Sequence, residues 1–120
     1  MMIFGLVNFK ETKVIYISGR ISGNKNWKKD FELGEEQAVE ELKKLGYEER
    51  TVVNPLRLED KLPAGSKYKD YMINDIFNLV ECSMIYMLRG WWRSRGARLE
   101  WHIAKVLGLK ILYQKRKHKG

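Results

Sequence analysis

The chain has 120 residues, 44% of them apolar and 12% aromatic, which is enough for one globular core and too little for two. One cysteine, Cys82, excludes an internal disulfide; two histidines offer little to hold a metal; and no apolar run approaches the roughly 20 residues that span a bilayer. The net charge of +8 is uneven, because ten Lys or Arg and one acid, Glu100, lie from Arg89 onward, and such a field draws nucleic acid or a phosphorylated small molecule.

Residues 1–11 read as an irregular leader or an added edge strand, without the basic start and cleavage site of a secretory signal, so the expected location is cytoplasmic. Residues 13–18, β-branched and apolar, predict a buried first strand that Gly19 stops. A loop over 19–24 follows. Helical spacing of Trp27, Phe31, Ala38, Leu42 and Leu45 predicts a helix from about 26 to 45, which Gly46 closes. Residues 51–54 give a short second strand ended by Pro55, and 56–66 a longer loop. Residues 68–81 read as a helix with Tyr71, Met72, Ile76, Leu79 and Val80 inward. The third strand is 84–88, the last helix 94–107 with Leu99, Ile103, Ala104 and Leu107 buried, and the fourth strand 110–113. The basic run over 115–120 reads as a solvated end or a binding arm.

Nearly all-apolar strands alternating with helices predict a parallel sheet covered on both faces. The expected architecture is a small doubly wound α/β fold, Rossmann-like or flavodoxin-like, of four to five strands. Ligands of such folds bind at the C-terminal strand edge, so the loops over 19–24 and 89–96 should face one crevice.

Glu100 is the first candidate for chemistry. Two readings stand: a solvated helix acid paired with a nearby base, or a carboxylate near the crevice able to attack an anomeric carbon, as in retaining glycosidases. Asp75, flanked by apolar residues, is either a surface or salt-bridged acid or a second carboxylate that holds a sugar hydroxyl or assists departure of a base. Tyr16 is a core residue or a hydroxyl that orients Glu100. Gly19, Ile21 and Gly23 bracket the first loop but lack the spacing of a dinucleotide site. Ser94 and Gly96 can offer a hydroxyl and a close backbone N–H to a phosphate at a helix start, with Ser94 also its N-cap. Trp91 and Trp92 could stack a base, cover the site or contact a subunit.

Three segments in this order resemble the nucleoside 2-deoxyribosyltransferase superfamily, in particular its short phage and bacterial branch. They are Tyr16-Ile17-Ser18-Gly19-Arg20-Ile21-Ser22-Gly23, Asp75 ahead of Ile76-Phe77-Asn78-Leu79, and Ser94-Arg95-Gly96 followed by Glu100. The resemblance covers residues 12–114. It implies a Rossmann-like fold and cleavage of the N-glycosidic bond of a 2′-deoxynucleoside or its 5′-monophosphate, with no metal and no cofactor. Glu100 then matches the nucleophile, Tyr16 the residue that orients it, and Asp75 the acid near sugar and base. Ser94 matches the serine that contacts phosphate in the related deoxynucleoside-monophosphate N-glycosidases. Gly19, Arg20, Ile21, Gly23, Gly96 and Arg98 would complete the substrate and phosphate site. The resemblance also implies a homo-oligomer, a dimer or tetramer, in which a neighbour completes the site.

Overall fold

A computed structural model describes residues 13–48, 51–57 and 62–115 of the chain. The leader expected over 1–11 lies outside the described residues, as does the basic tail beyond Lys115. Four strands and three long helices alternate: β1 (Ile15–Ser18), α1 (Trp27–Lys44), β2 (Val52–Val53), α2 (Tyr68–Leu79), β3 (Met84–Met87), α3 (Arg95–Leu107) and β4 (Lys110–Tyr113). Short 3-10 turns at Pro55–Arg57 and Trp91–Arg93 follow β2 and β3.

The sheet order is β2-β1-β3-β4 and every pairing is parallel, with Ile15 beside Val52 and Met84, and Met84 beside Lys110. The protein is thus a small doubly wound, Rossmann-like α/β fold. β1 and β3 are buried along their whole length, which is why their sequences show no polar alternation. Alternation persists nonetheless in the direction of the side chains. Ile15 and Ile17 enter the layer under α1 with Phe31, Ala38 and Leu42, whereas Tyr16 enters the opposite layer with Leu79, Ala97 and Ala104. Each of the fully buried isoleucines stabilises the fold by about 1.5–3 kcal/mol relative to exposure.

Asn54 ties the end of β2 to α1. Its amide donates to the Phe31 carbonyl at 3.1 Å and to Glu35 Oε1 at 2.8 Å, and its Oδ1 accepts from the Leu56 N–H at 3.0 Å. This contact fixes Pro55 and Phe31 as a wall beside the C-terminal end of β1. The order reverses between β1 and β3, and open α/β sheets hold their ligands at such a switch point.

The helices differ from the sequence reading in three places. On α3 the buried stripe is Ala97, Glu100 and Ala104; Leu99 and Leu107, expected in the core, are exposed. The two alanines let the helix approach the sheet closely, and that approach selects the stripe rather than side-chain size. On α2 only Leu79 is buried, Val80 is exposed beyond the helix end, and Tyr71 and Met72 turn toward a cavity. Leu45, expected on the inner side of α1, is likewise exposed at its end.

Candidate active site

β1 carries the first two components of the site. Tyr16 and Ser18 are two apart on a strand, so both side chains leave the same face of the sheet, toward α3. α3 meets them with Glu100, which lies in its buried stripe one turn beyond Ala97. The Tyr16 hydroxyl donates to Glu100 Oε2 at 2.9 Å, and the Ser18 hydroxyl donates to Oε1 at 2.6 Å. Each carboxyl oxygen thus holds one donor, and Glu100 is only 5% exposed.

Burial pushes the Glu100 carboxyl up to about 8, against the pull of the Ser18 hydrogen bond, with the charge of Asp75 adding to the rise and the Tyr16 hydrogen bond opposing it. The Tyr16 phenol is held well above its ordinary value, first by burial and then by the nearby Glu100 and Asp75 charges. Tyr16 is therefore a donor at any working pH. The environment strains one acid and keeps its partner hydroxyl protonated, a pattern concentrated at functional sites.

These groups open onto a cavity of about 200 Å³. Gly19, Ile21 and Ser22 form its wall after β1, with Trp27 and Phe31 from α1 and Pro55 behind them. α2 contributes Tyr68, Tyr71, Met72 and Asp75, the i, i+3, i+4, i+7 face of the helix, together with Asn74. α3 contributes Gly96, Ala97 and Glu100, with Ser94 just ahead of it. The volume is below the roughly 300–1,000 Å³ that encloses a whole drug-sized ligand, so it fits a pentose-sized group with the remainder toward the mouth. An adjoining depression shares Ser22, Tyr68, Ser94 and Gly96 with the cavity and adds Arg93 and Arg95.

Ser94 is the N-cap of α3, its Oγ accepting the Ala97 N–H at 3.1 Å. Gly96 is tightly neighboured: a Cβ there would stand 3.0 Å from Met72 Sδ and 3.2 Å from the Tyr68 hydroxyl oxygen, so those side chains would have to give slightly. That close approach presses the start of α3 against α2 and shapes the mouth.

Of the expected site residues, Tyr16, Gly19, Ile21, Asp75, Ser94, Gly96 and Glu100 line the one cavity. Three do not. Arg20 turns aside to donate to the Gly23 carbonyl at 3.2 Å and lines a separate depression with Asp30 and Arg89. Gly23 itself serves the turn, with φ at +76°. Arg98 is rotated about 200° from Gly96 around α3 and donates to the Trp92 carbonyl at 2.9 Å. The arginines that adjoin the cavity are instead Arg93 and Arg95, in the depression that shares Ser94 and Gly96 with it. Trp91 and Trp92 do not line the cavity; Trp91 packs against Trp101 and Tyr113, and Trp92 stands edge-on to Trp91.

Ser18 and the α2 aromatics were missed as site residues. Both had a signal: Ser18 shares its strand face with Tyr16, and Tyr68, Tyr71 and Asp75 recur at helical spacing. Among the described residues, no group of three His, Cys, Asp or Glu is placed to hold a metal ion, and no helix is long and apolar enough to cross a membrane.

No curated protein and no solved structure matches the chain. A family pattern does match, over residues 13–113. The chain belongs to the DUF4406 family, a domain of unknown function.

Proposed function

We propose that the protein cleaves the N-glycosidic bond of 2′-deoxynucleoside 5′-monophosphates, or of the free deoxynucleosides, with Glu100 as nucleophile. The observation that carries this reading is the double grip on Glu100 by Tyr16 and Ser18 at the wall of a pentose-sized cavity that also holds Asp75. A carboxyl whose two oxygens are each fixed by a hydroxyl is held in one orientation, as in-line attack on a sugar carbon requires.

In the first step a Glu100 oxygen bonds to C1′ as the C1′–N bond breaks, and the bond's electron pair leaves with the base. The base takes a proton from a water molecule, which the Asp75 carboxylate is assigned to orient. In the second step water attacks C1′, the ester bond breaks, and the Glu100 carboxylate and a proton are released. A second base in place of water gives transfer of the deoxyribosyl group instead. At pH 7 about a tenth of the resting carboxyl is ionised, given its value near 8. Positive charge developing at C1′ favours the ionised form, so the anion is stabilised most where the reaction needs it.

A 5′-phosphate fits beside Arg93, Arg95 and the first N–H groups of α3, next to the hydroxyl of Ser94. That neighbourhood favours the nucleotide over the nucleoside. The reading sets the protein in the cytosol, where Cys82 stays reduced. It also includes a homo-oligomer, for which Ile73 and Phe77 on α2 and Leu99 and Val106 on α3 are exposed apolar contacts.

The test is to incubate pure protein with each of the four deoxynucleoside monophosphates and the free deoxynucleosides and to separate free base by chromatography. Base release that Glu100→Gln abolishes supports the reading. Thermal stabilisation by a nucleotide with no base released would replace the enzyme with a binding module.

A further inference from the structure

The second ring-rich surface of the molecule lies outside the cavity. Trp91 stacks on Trp101 with ring centroids 5.5 Å apart and planes 21° apart, Trp92 stands edge-on to Trp91 at 6.2 Å, and Tyr113 lies 6.4 Å from Trp91. The Trp101 Nε1–H donates to the Tyr113 hydroxyl at 2.9 Å, which ties α3 to β4 and fixes both rings. Trp92 is 55% and Tyr113 52% exposed. None of the four rings lines the cavity of Glu100.

Cations flank the tryptophans, whereas Tyr113 also lines a depression with Glu36, Glu40 and Glu41 of α1. Arg98 and Lys105 stand at i−3 and i+4 from Trp101, the positions that share its side of α3, and Lys105 Nζ lies 5.2 Å over the Trp101 ring. Arg93 follows Trp92 directly. From Arg89 to Lys115 the only acid is Glu100, and it is buried on the other side of the helix. A pre-ordered platform of three tryptophans flanked by exposed cations, with the α1 acids at its Tyr113 edge, matches the stacking faces and phosphates of an unpaired strand.

We propose that this face of Trp91, Trp92, Trp101 and Tyr113 binds single-stranded nucleic acid, independently of the Glu100 cavity. Duplex is a poorer fit, because its bases are already stacked on one another. A second copy of the same face would set Arg98 and Lys105 against their own kind, which disfavours self-association here.

The test is fluorescence anisotropy of a labelled oligothymidylate of about 20 nucleotides titrated with the full chain. Micromolar binding is expected near 50 mM salt. If about three phosphates are neutralised, it weakens roughly 20-fold by 200 mM. Trp92→Ala should weaken binding about tenfold and Lys105→Glu should flatten the salt dependence, with melting temperatures showing both variants folded. Glu100→Gln should bind as the wild type does, which separates this face from the cavity. The proposal is overturned by no binding near 50 mM salt, by binding that Trp92→Ala leaves intact in a folded variant, or by equal affinity for blunt duplex. Binding to anionic vesicles without binding to the oligonucleotide would assign the face to a membrane surface and overturn it as well.

Discussion

Tyr16 and Glu100 lie 84 residues apart in the chain and meet through a buried hydrogen bond of 2.9 Å. β1 supplies the phenol and α3 the carboxyl, so sheet and helix are joined at a buried polar contact. Ser18 closes the other oxygen of the same carboxyl at 2.6 Å. The account predicts distinct consequences for each partner.

Glu100→Gln should abolish base release while stabilising the fold. The folded carboxyl titrates near 8 against an ordinary 4.5, so between those values the native state holds more proton than the unfolded chain. Wild-type stability therefore falls as pH rises from about 4.5 to about 8, and Gln removes that loss. Melting curves across this window should show the advantage of the variant growing with pH, reaching a few kcal/mol at most. A variant less stable than wild type at pH 8 would contradict the buried, strained carboxyl.

The activity should rise with pH as Glu100 ionises, with kcat/KM following one deprotonation near 8 in the free enzyme. Ser18 acts through Glu100 as a positioning residue. Its hydrogen bond favours the ionised form, so Ser18→Ala should move the rising limb to higher pH and lower the rate at pH 7 about tenfold. A pH profile in which the limb stays in place would leave Ser18 with no part in tuning the nucleophile.

Asp75→Asn should do the opposite to the limb. The Asp75 charge raises the Glu100 value, and its removal should shift the profile to lower pH. The plateau rate should still fall by roughly 10²-fold if the Asp75 carboxylate orients the water that protonates the departing base. A leaving group that needs no proton, such as p-nitrophenolate from a deoxyriboside, should recover much of that loss. Equal losses with both substrates would remove that role.

Gly96→Val tests the mouth. Its side chain meets Met72 and the Tyr68 hydroxyl, so these two side chains of α2 must shift at the point where the cavity opens toward Arg93 and Arg95. We expect a loss of about 1–3 kcal/mol in stability and a KM for the nucleotide that rises more than kcat falls. Isothermal binding and denaturation curves on one preparation check both.

Much of this was legible in the sequence, because buried parallel strands leave continuous apolar runs and the loops after β1 and β3 must share an edge. That edge left Tyr16 as a core residue or a hydroxyl that orients Glu100, and the family resemblance implied the pairing. The orientation of α3 did not. Leu99 and Leu107 outrank Ala97 and Ala104 in hydrophobicity, yet the close approach of helix to sheet selected the small residues and carried Glu100 inward with them. Arg98 was lost for the same reason, since a helix turned to bury Glu100 points Arg98 away. Ser18 was read only as the end of a strand, although a period of two gave it the direction of Tyr16. Leucine content reports how much a helix can bury; here the spacing of alanines reported which side does so.

The most direct measurement is mass spectrometry of protein quenched in acid during turnover of a deoxynucleoside monophosphate. The account predicts a deoxyribosyl 5-phosphate ester on the peptide that contains Glu100, absent from Glu100→Gln. Free base released at an undiminished rate by Glu100→Gln, with no sugar on that peptide in the wild type, would contradict it.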